Sequence, residues 1–365
     1  VSRRGGKPPK RVREAPQDLS GHVEALVFEV PHDEHKLRLD RFLSDRLTWR
    51  SRTSILELLS EGQVSVEGEV VTKKSHKLRR GEEVSVAVPP PEEPERHEEL
   101  AAELEAQILH EDEDLIAINK PAGLVVHPVG RIRVNTLIQA LHWRFKHGVA
   151  AGEEVLGGSR PGQVGPVIPR ICHRLDRDTT GVVVVAKNAQ ARSRMQTVIE
   201  GSEVEKIYLA CVHGRPKRES GLIELALGRD PEGEKDLMMT VRPDGQPSKT
   251  SYALEATVEQ DGAQLSWIRF QIYTGRQHQI RVHSLSLDCP VLCDALYGKG
   301  ETSWPRGDAE PLITRQALHA RRMAFPILKG QGQLLELEAP LPPDFVALRS
   351  AQGLGPLAEG SDSLG

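Results

Sequence analysis

Ile171-Cys-His-Arg-Leu-Asp-Arg-Asp-Thr-Thr-Gly181 runs directly into Val182-Val-Val-Val-Ala186. The second stretch is a continuous apolar run of strand length, the pattern of a strand buried on both faces. The first is charged and closes on a glycine, so it reads as a loop feeding that strand. A lone Asp in such a turn is most often a turn-former or a cap, so Asp176 needs company to mean more. Three further stretches supply it. Ile118-Asn-Lys-Pro-Ala-Gly-Leu-Val-Val-His-Pro128 follows an apolar strand at Asp114–Ile118 and enters a turn fixed by Pro121 and Gly123, which Lys120 and Pro121 are expected to shape. Lys206-Ile-Tyr-Leu-Ala-Cys-Val-His-Gly214 reads as a strand carrying Tyr208. Tyr273-Thr-Gly-Arg-Gln-His-Gln-Ile-Arg-Val-His283 leads into Pro290-Val-Leu-Cys-Asp-Ala-Leu-Tyr-Gly298.

The 365 residues suffice for one sizeable catalytic domain and a smaller module. No apolar run approaches bilayer-spanning length and the basic start lacks a signal-peptide core, so no membrane partner is expected. Cys172, Cys211, Cys289 and Cys293 show no framework spacing, which favours reduced thiols in a cytoplasmic setting. The same cysteines, taken with His173, His278 and His283, show no metal-ligand spacing, and no metal site is expected. A net charge of −4 argues against a nucleic-acid partner until it is located. Between Glu92 and Asp114 stand eleven acidic residues and one basic residue, Arg96, which leaves the rest of the chain at +6.

Five parts are expected: a basic, mostly disordered arm over 1–35 with one short strand near Ala25–Val30; a compact module over 36–88; a stiff, self-repelling Pro/Glu-rich linker over 89–105; a catalytic domain over 106–349; and a disordered tail over 350–365. In the module, Leu37, Leu39, Phe42, Leu43 and Leu47 recur at helical spacing. Ser51 is placed to cap a second helix bearing Ile55, Leu56, Leu58 and Leu59, which Gly62 ends. A hairpin across Glu67-Gly68 and a last strand at Glu83–Val88 follow. Gly157–Pro169 reads as a flexible loop ahead of the Asp176 box.

Through Leu39-Asp-Arg-Phe-Leu, Ser51-Arg-Thr, Gly62-Gln-Val-Ser-Val-Glu-Gly and Gly81-Glu-Glu-Val, the module resembles the RNA-binding domain shared with small-subunit ribosomal protein S-four. A basic face around Arg50, Arg52, Lys73 and Lys74 would hold phosphates with little regard to sequence, whereas the dull alternative is a solvated charged face. The four stretches of the large domain, with Gln316-Ala-Leu-His-Ala320 in support, resemble in order and spacing the motifs of the RluA-type pseudouridine synthases. That resemblance covers roughly Leu37 to Leu348. It implies an α+β fold with a mostly antiparallel, bent sheet, plus the small amino-terminal α/β RNA-binding domain. Two departures are visible: Thr180 stands where the family usually has Ser, and Cys289 and Cys293 where it usually has His and Gly.

The resemblance also assigns roles. Asp176 is the catalytic carboxylate, Arg276 its ion-pair partner, and Tyr208 lies against the uracil and serves in proton transfer. Arg174 fills the place of a flipped-out uridine, Ile280 forms part of the apolar wall, and His278 touches the substrate. The isomerisation involves no redox change, so no cofactor is expected. The expected partner is RNA, bound by a monomer. The amino-terminal module favours large-subunit ribosomal RNA, with tRNA or another RNA as the alternative. A non-catalytic assembly factor would tolerate loss of Asp176, Tyr208 or Arg276, and all three are present. An RNA methyltransferase would need a Gly-rich cofactor loop or a nucleophilic Cys motif, and neither is seen.

Overall fold

The computed structural model describes residues 25–47, 52–87, 94–128, 134–147, 167–201, 203–231, 238–305, 307, 309–327 and 333–355. Most of the basic arm, Arg50, the Ser51 cap, Pro89-Pro-Pro, most of the Gly157–Pro169 loop and the end of the tail lie outside the described residues.

The amino-terminal module comprises β1 (Ala25–Glu29), α1 (Leu39–Arg46), α2 (Arg52–Ser60), β2 (Val64–Val66), β3 (Glu69–Val70) and β4 (Glu83–Ala87). Its sheet runs β1-β4-β2-β3, antiparallel throughout. Leu39, Phe42 and Leu43 of α1 are spaced to share one helical face, and they meet Ile55, Leu58 and Leu59 of α2 and Val64, Val66, Val84 and Val86 of the sheet in a single core. The hairpin turns at Glu67 (φ 51°) and Gly68 (φ 81°). Two consecutive positive φ values suit a two-residue turn whose twist matches its strands. The strand foreseen within the basic arm is β1, and it belongs to this sheet: Ala25 pairs with Ala87 and Glu29 with Glu83. The ordered module therefore starts about ten residues before the expected boundary at 36, because Leu26 and Phe28 pack against its core.

The larger part begins with α3 (His97–Glu105), β5 (Ile108–Glu111), β6 (Leu115–Lys120), α4 (Leu137–His147), β7 (Arg170–Ile171), β8 (Thr180–Ala186) and α5 (Ala189–Glu200). It continues through β9 (Glu205–His213), β10 (Ser220–Glu224), β11 (Leu227–Arg229), β12 (Met239–Val241), β13 (Lys249–Gln260), β14 (Ala263–Ile272) and α6 (Gln279–Ser286). It ends with β15 (Leu318–Pro326), β16 (Leu334–Glu338) and α7 (Pro343–Ala351). A ten-stranded sheet runs β10-β13-β14-β9-β15-β8-β6-β5, with β16 on β15 and β7 on β8. Every pairing is antiparallel except the short parallel register of β15 with β8. The expected mainly antiparallel α+β sheet is what the chain forms.

Burial on both faces explains the apolar run of β8. Val183 and Val185 pack with Ile116, Ile118, Leu137 and Leu141. Val182, Val184 and Ala186 face the opposite way, onto Met195, Met323 and Phe325. A third cluster around Tyr208, Trp267, Phe270, Ile280 and Phe345 fills the other half of the sheet.

The linker expectation needs correction, since α3 occupies its second half. His97, Ala101 and Leu104 point inward while Glu98, Glu99 and Glu103 stay exposed. A count of charge hid this helical period. Nor do all the acids merely repel one another: Glu105 and Glu111 both pair with buried Arg144, at 2.6 and 3.0 Å, and Glu111 also holds Lys187 at 2.9 Å.

Gly181, where the box enters β8, has φ 111°, and a Cβ built there would lie 2.1 Å from the carbonyl oxygen of Ala320. That oxygen belongs to the paired strand β15, so relief requires parting the sheet beside Asp176. Gly181→Ala is expected to cost about 3 kcal/mol or more. Urea unfolding reads the loss, and a wild-type midpoint would show that the two strands yield easily.

Candidate active site

Asp176 sits in the loop between β7 and β8, and that loop is fastened at several points. The amide of Thr179 donates to the Asp176 carbonyl at 3.2 Å, closing a tight turn. Thr179 and Thr180 then engage β15 and the segment before it: Gln316 Nε2 donates to Thr179 Oγ1 at 2.6 Å, and Thr180 Oγ1 meets His319 Nδ1 at 2.9 Å. The hydroxyl that Thr180 shares with the family's usual Ser is thus in use. His173 Nε2 accepts from the Val184 amide at 3.0 Å, and burial pushes its pKa down to about 3, the state an acceptor needs.

Lys120 ends β6 fully buried. Its Nζ donates to the carbonyls of Pro121, Leu124 and Arg177 at 2.7, 2.8 and 2.8 Å. Burial lowers its pKa to about 7, against the pull of Asp178 and Asp176. All three N–H bonds therefore tie the 121–124 turn to the residue after Asp176, a shaping role as the sequence suggests.

The ion-pair partner of Asp176 is Arg281, whose Nη1 lies 3.0 Å from Asp176 Oδ2. Arg276 does not reach it. Arg276 lies in the turn before α6, half-buried, with Nε donating to the Pro247 carbonyl at 3.1 Å. The reason is local. Gln279 Oε1 accepts from Thr274 Oγ1 and from the Arg276 amide, closing the turn that starts α6. Only residues beyond that turn are carried inward by the helix, and Arg281 is among them. The sequence reading took the first arginine of Gly-Arg-Gln-His-Gln-Ile-Arg. The missed signal was a charged residue between Ile280 and Val282 in a segment that is otherwise apolar there.

Arg281 serves two carboxylates. Its Nε and Nη2 donate to Asp294 Oδ2 and Oδ1, both at 2.6 Å, while Nη1 faces Asp176. Burial opposes its charge, but the Asp294 hydrogen bonds and the Asp294 and Asp176 charges outweigh that and raise its pKa. His278 also flanks the site, its Nε2 3.9 Å from Asp176 Oδ2 and its Nδ1 2.7 Å from the Tyr297 hydroxyl. It holds a left-handed backbone (φ 55°) at the start of α6. Burial lowers the His278 pKa despite the Asp176 charge, which favours the neutral ring.

Tyr208, on β9, is only 7% exposed; burial first and the Asp176 charge second raise its phenol pKa, so the hydroxyl stays protonated. Ile280 is 5% exposed and shares the Tyr208 core cluster. Arg174 stands exposed at the outer end of the loop. Asp176, Arg281, His278 and Tyr208 thus converge, with Arg174 on the solvent side and Arg276 apart. The Asp176 carboxylate keeps 28% exposure, against 5% for Arg281, so a cation fixed from behind presents a reachable carboxylate.

Of the proposed phosphate-binding residues, Lys73 and Lys74 are exposed between β3 and β4. Arg50 is outside the described residues, and Arg52 opens α2. Cys172, Cys211, Cys289 and Cys293 form no disulfide with one another. No described helix is long and apolar enough to cross a membrane.

The RNA pseudouridylate synthase family model matches residues 114–286, and an S4 domain matches 37–84. An uncharacterised RNA pseudouridine synthase of Aquifex aeolicus is 36% identical over 318 residues, spanning 87% of this chain and 94% of that protein. The ribosomal large subunit pseudouridine synthase D of Vibrio parahaemolyticus is 35% identical over 334 residues, 89% of this chain and 94% of that one. Among solved structures, human RNA Pseudouridylate Synthase Domain Containing 4 superimposes with a TM-score of 0.51 at 27% identity, covering 71% of this chain and 98% of that chain. With relatives matched across nearly their whole length, and with the Asp176 loop inside the matched region, the chain belongs to the RNA pseudouridine synthase family.

Proposed function

We propose that this pseudouridine synthase acts on large-subunit ribosomal RNA, with Asp176 as its catalytic carboxylate and a uridine flipped out of the RNA as its substrate. The observation that carries the catalytic reading is the partly exposed Asp176 carboxylate backed by buried Arg281, with buried Tyr208 within reach of its charge. The reaction breaks the bond from ribose C1′ to ring N1 and forms one from C1′ to C5; C5 loses a proton and N1 gains one. Nothing is oxidised or reduced, so a carboxylate acting on sugar or ring, a proton-transfer group and a dry wall suffice. Asp176, Tyr208 and Ile280 supply them. A uridine inside a folded RNA reaches Asp176 only by leaving its stack, at a cost of about a few kcal/mol. Arg174, exposed beside the box, is suited to take the vacated place, since its guanidinium can both stack and donate hydrogen bonds.

The ribosomal assignment is supported by the amino-terminal RNA-binding module, with Lys73 and Lys74 exposed on it and Arg50 and Arg52 as further phosphate ligands. The name of the Vibrio relative points the same way. The protein works as a monomer in a cytosolic setting, and its module is tethered by the short segment ahead of α3. Pseudouridine mapping of total RNA from cells lacking the protein, complemented with wild type or Asp176→Asn, tests the reading. A large-subunit rRNA site lost in the deletion and restored only by wild type is expected. A site lost from tRNA instead would move the substrate, and equal rescue by Asp176→Asn would remove Asp176 from the chemistry.

A further inference from the structure

Both groups beside Asp176 lead back to one turn. Asp294 has no exposed side-chain surface and binds Arg281 through both oxygens. Its Oδ1 also accepts from the Leu296 and Tyr297 amides at 2.9 and 3.1 Å, so the carboxylate is saturated and its orientation set by the turn. The Gly298 amide closes that turn onto the Asp294 carbonyl at 2.8 Å. A Cβ at Gly298 would lie 2.4 Å from the same oxygen, so a residue without a side chain is needed there.

Three residues after Asp294, Tyr297 reaches the other neighbour. Its ring lies under the Arg281 guanidinium, 4.9 Å from centroid to Cζ, and its edge meets His278 with centroids 5.5 Å apart. The Met239 amide donates to the Tyr297 oxygen at 2.8 Å, and His278 Nδ1 lies 2.7 Å from it on another side. A phenol has one proton to give, and among these contacts Nδ1 is the acceptor open to it. The imidazole proton then resides on Nε2, the nitrogen that faces Asp176.

The geometry points to the Asp294–Gly298 turn as a positioning element for the isomerisation, in which Asp294 aims the guanidinium of Arg281 and Tyr297 aims the Nε2 proton of His278 at the Asp176 carboxylate. Asp294 and Tyr297 never touch the substrate; they act through Arg281 and His278. A guanidinium held along one edge by two hydrogen bonds and stacked on one face has its Nη1 direction fixed, so the Asp176 oxygen it binds is held before the uridine arrives. The inference rests on the reading of Asp176 as the catalytic carboxylate.

Turnover of Asp294→Asn, Tyr297→Phe and Asp176→Asn, measured on total RNA from cells lacking the protein, tests it, with thermal midpoints as a folding control. Asp294→Asn is expected to lower kcat about 30- to 100-fold with KM within about threefold, and Tyr297→Phe about 5- to 10-fold. Asp294→Asn combined with Arg281→Lys should fall well short of the product of the two single losses, because both act through one guanidinium. Nitrogen-15 shifts of His278 should show the proton on Nε2 in the wild type and lose that preference in Tyr297→Phe. That signature decides the matter should Asp294→Asn fail to fold. Folded variants with wild-type kcat, multiplicative losses, or a His278 proton on Nδ1 would overturn the positioning role and leave Asp176 standing. An active Asp176→Asn would instead remove the reading beneath it.

Discussion

Purified Asp176→Asn protein is expected to fold and bind RNA as the wild type does, while forming pseudouridine at least about 10,000-fold more slowly. The size follows from what the substitution removes. Asn keeps the shape of Asp and one carbonyl oxygen, so the Thr179 turn, which uses the Asp176 backbone, survives. What disappears is the negative charge facing Arg281 and the only carboxylate among the four groups that converge here. An amide neither attacks the ribose nor adds to the ring, so the residual rate comes from binding and orientation alone. Stability should change little: Arg281 keeps its bidentate hold on Asp294, and the partly exposed amide finds water. Rate and RNA affinity, measured side by side, separate the outcomes. A variant that binds RNA and retains a tenth of the activity would mean that another group carries the reaction.

Most of the architecture was legible because it depends on local pattern. The apolar run of β8, the helical spacing of Leu39, Phe42 and Leu43, and the Glu67-Gly68 turn each dictate their element without knowledge of what packs on it. Two segments were misjudged where composition was allowed to outrank period. The acidic stretch from Glu92 to Asp114 reads as self-repelling, yet His97, Ala101 and Leu104 give it a buried face, and Arg144 and Lys187, distant in sequence, neutralise Glu105 and Glu111. The strand near Ala25–Val30 was foreseen, but the arm's basic composition hid that it belongs to the module, whose core Leu26 and Phe28 complete. In the site, Asp176 and Tyr208 could be named because each lies within a distinctive stretch. The Arg276–Arg281 choice could not be settled that way, since both arginines lie in the same stretch. It depends on where the turn stops and α6 begins, which Gln279 fixes by bonding to Thr274, Arg276, Lys249 and Thr250. Asp294 was invisible for a related reason: its role depends on a bond across thirteen residues to a helix whose phase was not known.

The two arginines should therefore separate sharply when each is replaced by lysine. Arg281→Lys is expected to lower kcat about 100- to 1,000-fold, and Arg276→Lys to leave kcat within about threefold of wild type. A lysine at 281 keeps the charge but has a single nitrogen on a flexible stem, whereas the arginine spans Asp294 with Nε and Nη2 and still reaches Asp176 with Nη1. The ammonium must favour one carboxylate. Asp294 is fully buried and Asp176 is 28% exposed, so the buried acid has the stronger claim, and Asp176 loses its fixed partner. At 276 the side chain donates to the Pro247 carbonyl, and its amide, which anchors the turn to Gln279, is unchanged by substitution. Lysine there keeps a positive charge on the rim, so any loss should show in KM for RNA and weaken with salt, as expected of a phosphate contact. The reverse ranking, with Arg276→Lys the slower enzyme at saturating RNA, would mean that RNA binding rebuilds the turn and brings Arg276 to the carboxylate. A similar loss at both positions would mean that α6 and its leading turn respond to either change as one unit.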